Sequence, residues 1–149
     1  MLRLRRIDDG QSVVAGNCND GGVNREICPS SIAPPAANYA HAMLSVQPKR
    51  WLHTSGVVPT APDGSTPPDI GDQAGVVWAN IAAMLADVEM VPSDIVSVTT
   101  YVVVGESLAP VMAARDAFLG GHRAASTLVT VPALARPDWR MEVAVVAAN

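Results

Sequence analysis

Glu142 stands in the run Arg140-Met141-Glu142-Val143-Ala144-Val145-Val146-Ala147, one carboxylate among aliphatic side chains. A charge in such a strand is expensive to bury unless it is paired or wet. The position predicts either a cleft where the carboxylate handles a proton, or a polar strand face shared with Arg140 and Ala144 that meets solvent or an ion pair. Ser126 and Thr127 open a second β-rich run, Ser126-Thr127-Leu128-Val129-Thr130-Val131, and their hydroxyls donate or accept hydrogen bonds without charge. Arg123 lies just past Gly120-Gly121, which ends a helical pattern, and a cation is favourable there whatever else it does. Tyr39 follows Pro34-Pro35-Ala36-Ala37-Asn38 and is either a loop anchor or an apolar ring with a hydroxyl to offer a ligand. Gly56, after Ser55 at a strand end, permits a close backbone approach or marks a turn.

The remaining reactive side chains are less directed. His41, His53 and His122 show no metal-ligand spacing, and a lone histidine is most simply the polar tip of a packed strand. Cys18 and Cys28 are ten residues apart in a sequence with no signal peptide and no apolar run long enough to span a membrane. Reduced thiols in a cytoplasmic protein are the plain expectation, although the intervening loop would sterically allow a bridge. Neither cysteine has a neighbour that marks it as a nucleophile.

Positioning these groups falls to 149 residues, enough for one domain with a core of ordinary size. With 49% hydrophobic and 16% charged residues, the composition favours an oligomer that hides apolar surface, or a large Ala-rich core. The net charge is −4, with a single lysine and nine arginines scattered except for Arg3, Arg5 and Arg6. That distribution argues against nucleic-acid binding, which needs clustered cations. Residues 1–22 read as an appendage: Leu2 and Leu4 alternate with Arg3 and Arg5, then turn-forming Gly, Asn and Asp residues follow. The domain proper is expected over residues 23–149. Strands are predicted at Val23–Cys28, Ala42–Val46 and Trp51–Ser55, the last two joined by a Gln47-Pro48-Lys49-Arg50 hairpin turn. A helix started by Asp69 or Asp72 carries Val76, Val77, Ile81, Met84, Leu85 and Val88 on one stripe. The strand Ile95–Val104 comes next, then a helix near Leu108–Leu119 with Leu108, Val111, Met112 and Phe118 at core spacing. Strands Ser126–Val131 and Arg140–Ala147 close the chain. This order predicts an α+β fold, a single sheet with both helices on one face and the other face covered by subunit association.

The same order and several local runs resemble the Rid (reactive-intermediate deaminase), or YjgF-like, family from about Val23 to Ala147. Val23-Asn24-Arg25-Glu26-Ile27 looks like its first strand, and Ala33 to Ala42 resembles its proline-rich lead into Gly-Pro-Tyr-Ser-Gln/His-Ala. His53-Thr54-Ser55-Gly56-Val57-Val58-Pro59 matches a strand end that usually reads Ser-Gly-Gln-Ile-Pro. Asp94 to Tyr101 and Met141 to Ala147 look like two further family strands. The resemblance implies a chorismate-mutase-like homotrimer with small-molecule clefts between subunits and hydrolysis of enamines or imines without a cofactor. It implies roles for Glu142 in directing a water and for Tyr39, Ser55, Gly56, Ser126 and Thr127 in holding the ligand. Ser126 falls where active members carry an arginine that grips a substrate carboxylate, a bidentate task suited to guanidinium. Thr127 and Leu128 occupy the stretch of the family's reactive cysteine, and Met112 stands at a usual asparagine. Arg123 is the nearest cation that could swing in as a substitute.

Two functions follow. One is hydrolysis or rearrangement of an imine or enamine metabolite that lacks a carboxylate at Ser126. The other is a non-catalytic ligand-binding or interaction trimer of the same fold. Ribonuclease activity, sometimes attached to the family, is disfavoured by the acidic charge. No metal, nucleic-acid or membrane partner is expected.

Overall fold

A computed structural model describes residues 22–149. The expected appendage, apart from Gly22, lies outside the described residues. The chain runs β1 (Asn24–Ile27), β2 (Ala42–Ser45), β3 (Trp51–His53), α1 (Ile70–Asp87), a 3-10 turn (Pro92–Asp94), β4 (Ile95–Val103), α2 (Leu108–Leu119), β5 (Ala125–Val131) and β6 (Met141–Ala148). This is the predicted order, and the fold is α+β with two helices on a mixed sheet.

The strands form two ladders instead of one: β1 pairs only with β2, while the other four run β3-β6-β4-β5. The expected β2–β3 hairpin does not form. Gln47 adopts φ 50° and Pro48 has no N–H to give, while Lys49 and Arg50 both donate backbone N–H groups to the Asn149 carbonyl, at 2.7 and 3.0 Å. The segment is thereby fastened to the end of β6 and delivers β3 to β6, antiparallel with Trp51 opposite Ala148. β4 and β5 are parallel and joined through α2, a crossover that places the helix over the sheet.

β6 lies between β3 and β4 and alternates sharply. Met141, Val143, Val145 and Ala147 are fully buried under the helices, while Glu142, Ala144 and Val146 face the other side. Val98 and Val102 of β4 extend the core, which meets Val77, Trp78, Ile81 and Leu85 of α1 and Val111 of α2. Asp69 caps α1 by accepting from the N–H groups of Gly71 (2.7 Å) and Asp72 (3.3 Å). The α1 stripe is rotated from the expected one: Met84 is 40% exposed, and Trp78 and Gln73 are buried in its stead. On α2 the buried positions are Val111, Arg115 and Leu119, spaced by four, and Gly120 closes the helix at φ 58°.

The thiols depart from the expectation of reduced cysteines: Cys28 is disulfide-bonded. Cys18 lies outside the described residues.

Gln73 joins three segments. Its Nε2 donates to the carbonyls of Pro67 (2.7 Å) and Asp138 (2.8 Å), and its Oε1 accepts from Arg140 N–H at 2.9 Å. The residue is 0% exposed, so a leucine there strands backbone groups of both long loops away from water. Gln73→Leu is expected to lower stability by about 2–4 kcal/mol in urea unfolding. A loss no larger than that of an exposed substitution would show that other contacts hold these loops.

Candidate functional site

The carboxylate of Glu142 is placed by an irregularity in the neighbouring strand. His53 sits opposite Val146, and Thr54 N–H donates to the Val145 carbonyl at 3.1 Å. Val57 then bridges Val143, with reciprocal N–H to carbonyl bonds of 2.7 and 3.1 Å. The β3 side thus carries one residue more than β6, a bulge at Ser55-Gly56. The Thr54 hydroxyl supports it by accepting from Val145 N–H at 2.9 Å. Gly56 comes to lie against Glu142 so closely that a Cβ there would overlap the carboxylate and stand 2.7 Å from Cγ. Close approach, with no unusual φ involved, favours glycine at this position, since any Cβ would push the Glu142 side chain aside. Ser55 is exposed on the bulge, and Glu142 is half-buried. Opposite Glu142 on β4 is Tyr101, which in turn faces Val129 on β5. Among the described residues no hydrogen bond or ion pair engages the Glu142 carboxylate, so it is free to accept a proton or orient a water.

Ser126 belongs to a second group. It lies beside Val98 in register, on the helix side of the sheet, whereas Thr127 points to the opposite face beside Thr99. Its hydroxyl accepts from Arg115 Nη1 at 3.3 Å. Arg115 reaches it from α2 and is 7% exposed. Its Nη2 donates to the Asn38 carbonyl at 3.1 Å, and Nε and Nη2 donate to Asp116 Oδ1 at 2.9 and 2.7 Å. The next residues of that loop are drawn to β5, where Ala40 N–H donates to the Ala124 carbonyl at 2.9 Å and Ala40 bridges Ala125. Tyr39 is thereby held near the start of β5. Its ring meets His41 edge-on at 5.8 Å and its hydroxyl accepts from Ala36 N–H at 3.4 Å.

Arg115 was missed by sequence reasoning. The signal was its place four residues after Val111 and four before Leu119, on the buried stripe; a stripe drawn through Met112 and Phe118 leaves it outside. Arg123 is neither a solvated helix-end cation nor a partner of Ser126. It pairs with Glu26 of β1, 8% exposed, and both line a cleft of about 440 Å³ with Ile32, Pro34 and His41. The histidines have separate partners: His41 contacts the Ala33 carbonyl through Nε2 (2.8 Å), His122 that of Ile95 (2.7 Å), and His53 stacks on Trp51 at 6.1 Å.

Within one subunit the two groups do not meet. Ser126 shares a register row with Val98 and Val145, three residues along β6 from Glu142. Three residues of rise and two strand spacings put the Cα atoms about 14 Å apart, with the side chains on opposite faces. Among the described residues no cluster of His, Cys, Asp and Glu could hold a metal ion, and no helix is long and apolar enough to cross a membrane.

Residues 30–149 match the Endoribonuclease L-PSP family, and the chain belongs to it. Among solved structures it is similar to YyfB of Yersinia pestis, a protein of unknown function of the conserved Rid family: 30% identity, 86% of this chain and 100% of that one, TM-score 0.78. The YjgF gene product of Escherichia coli is 26% identical over 76% of this chain and 90% of that one, TM-score 0.62. The serine-bound TdcF of E. coli, at 23% identity over 81% and 92% of the two chains and TM-score 0.62, shares the fold. No curated protein matches the chain.

The Gly56–Glu142 approach yields a double-mutant test. Gly56→Ala is expected to displace the carboxylate and destabilise the protein by about 1–3 kcal/mol. In the Gly56→Ala/Glu142→Ala double variant most of that loss should be recovered, because the overlapping group is gone. Additive losses in thermal unfolding would show that the glycine answers to something other than Glu142.

Proposed function

We propose that the protein is a homotrimer that binds a small metabolite between subunits and hydrolyses an imine or enamine there, with Glu142 directing the water. The observation that carries the reading is the unpaired Glu142 carboxylate held against Gly56. In this reaction the Glu142 carboxylate takes a proton from water as its oxygen bonds to the C=N carbon. The proton passes to the nitrogen, giving a carbinolamine; its hydroxyl proton then moves to the nitrogen as the C–N bond breaks, and a ketone and ammonia leave. Imines hydrolyse readily unaided, so orientation and one carboxylate are sufficient help.

Support for association comes from the sheet face away from the helices, where Trp51 is 52% and Val129 39% exposed. In the trimer, the Gly56–Glu142 bulge of one subunit, with Ser55, faces the β5 edge of another near Tyr39, an edge that carries Ser126 on the helix side of its sheet and Thr127 on the other. Ser126 stands at the position of the family's carboxylate-gripping arginine, so the substrate differs from imines of amino acids. Arg123 is occupied by Glu26 and does not replace that arginine.

The family's name invokes ribonuclease chemistry, but Arg115, Arg123, Arg136 and Arg140 are each in ion pairs with carboxylates. Pairing of this kind takes these four cations away from a phosphate backbone.

The test is ketone release from imines generated in situ by amine and amino-acid oxidases. Glu142→Gln is expected to lower turnover by about 10²–10⁴-fold with the oligomer intact. Unchanged turnover of every imine would remove the mechanism. Ligand-induced thermal shifts without turnover in the native protein would favour a purely binding role. Light scattering should give the mass of three chains.

A further inference from the structure

We infer that Arg115, Asp116 and Ser126 form a specificity relay that makes the Ser126 hydroxyl a donor for an uncharged oxygen acceptor and disfavours a carboxylate. The inference rests on the proposed cleft and names the class of ligand it takes: carbonyl or amide compounds without a carboxylate at this end.

The hydrogen-bond inventory carries the argument. A guanidinium has five N–H donors. In Arg115, Nε and Nη2 are committed to Asp116 Oδ1 and to the Asn38 carbonyl, leaving Nη1 for Ser126. No pair of parallel N–H groups remains for the bidentate grip that a carboxylate rewards. Asp116 cancels the positive charge at 2.7 Å, so an incoming anion meets a neutral pair and the exposed flank of a carboxylate 37% accessible to solvent. The Ser126 hydroxyl, having accepted from Arg115, retains its own proton, and accepting from a cation strengthens it as a donor. Ser126 is half-buried, so that proton is within reach of a ligand, whereas Arg115 itself is enclosed. Arg115 therefore acts through Ser126 as a positioning residue, and Ser126 makes the contact.

The experiment compares butyramide with butyrate, a neutral and an anionic acceptor of nearly the same shape, by NMR titration of the assembled native protein. Butyramide is expected to bind at least about tenfold tighter. Ser126→Ala should abolish that preference. Asp116→Asn keeps an acceptor oxygen for Nε and Nη2 while removing the neutralising charge, and should turn the preference towards butyrate by about tenfold. That reversal is a response no merely structural role produces. Equal binding of the two ligands to the native protein, failure of both to bind, or an equal effect of Asp116→Asn on both overturns the inference. Failure of the hydrolysis proposal is read separately, from ketone release: a butyramide preference that Ser126→Ala abolishes and Asp116→Asn reverses supports the inference even where no imine is turned over.

Discussion

Everything in the site depends on β6 being hydrogen-bonded on both edges. A strand held by β3 and β4 cannot rotate about its axis, so its period of two sorts its side chains between two environments. Met141, Val143, Val145 and Ala147 fill the core under α1, and Glu142 is carried to the other face by the same alternation. Reversing that choice would bury a carboxylate and expose four aliphatic side chains, so the hydrophobic core fixes where the acid stands. The Ser55-Gly56 bulge depends on this in turn. In an uninterrupted ladder Val57 would lie opposite Glu142 and share its face. The extra residue sends Val57 into the core, where it is 5% exposed, and leaves the residue without a side chain beside the carboxylate.

Arg115 organises the other end of the sheet by different physics. A buried guanidinium is tolerated only when its donors and charge are satisfied. Satisfying it recruits Asp116 on the same helix, the Asn38 carbonyl from the loop after β1, and Ser126 from β5. Such a cluster is weak evidence for stability as such, since apolar packing can do as well. Its structural effect is registry: it ties the segment bearing Tyr39 to the start of β5, alongside the Ala40–Ala124 backbone bond. A neutral core at this spot would give the loop no comparable reason to stop there.

The elements legible in the sequence were those whose information is local. α1, α2, β4 and β6 declare themselves by periodicity, by Asp69 at one helix start and by Gly120 at another helix end, and the structure places them within a residue or two. Pairing was not legible. Gln47 to Arg50 has the chemistry of a hairpin turn, but the N–H groups that would close it are taken by Asn149, about a hundred residues away. Arg123 likewise reads as an unoccupied cation because Glu26, its partner, is 97 positions distant. Ser126 and Thr127, grouped by resemblance, point to opposite faces, as the strand period requires of any adjacent pair. The close approach at Gly56 was one of two readings at that position, and only the β3–β6 register distinguishes it from a turn.

The separation of the two residue groups has a physical consequence for any chemistry attempted here. A carboxylate on an open sheet face is surrounded by water, where its interactions with a developing charge are weak and its orientation is loose. Enclosure strengthens both, and a small ligand cannot span about 14 Å through the sheet to reach Ser126 in the same subunit. A second copy laid against the Glu142 face supplies enclosure and a second wall in one step, while burying the Trp51 and Val129 surfaces that a lone chain leaves in water. In the proposed trimer, association and site assembly are the same event, driven by apolar surface outside the reacting groups. In that proposed arrangement, residues such as Ser126 and Met112 can vary without loss of the oligomer, so a change of ligand requires no change of fold.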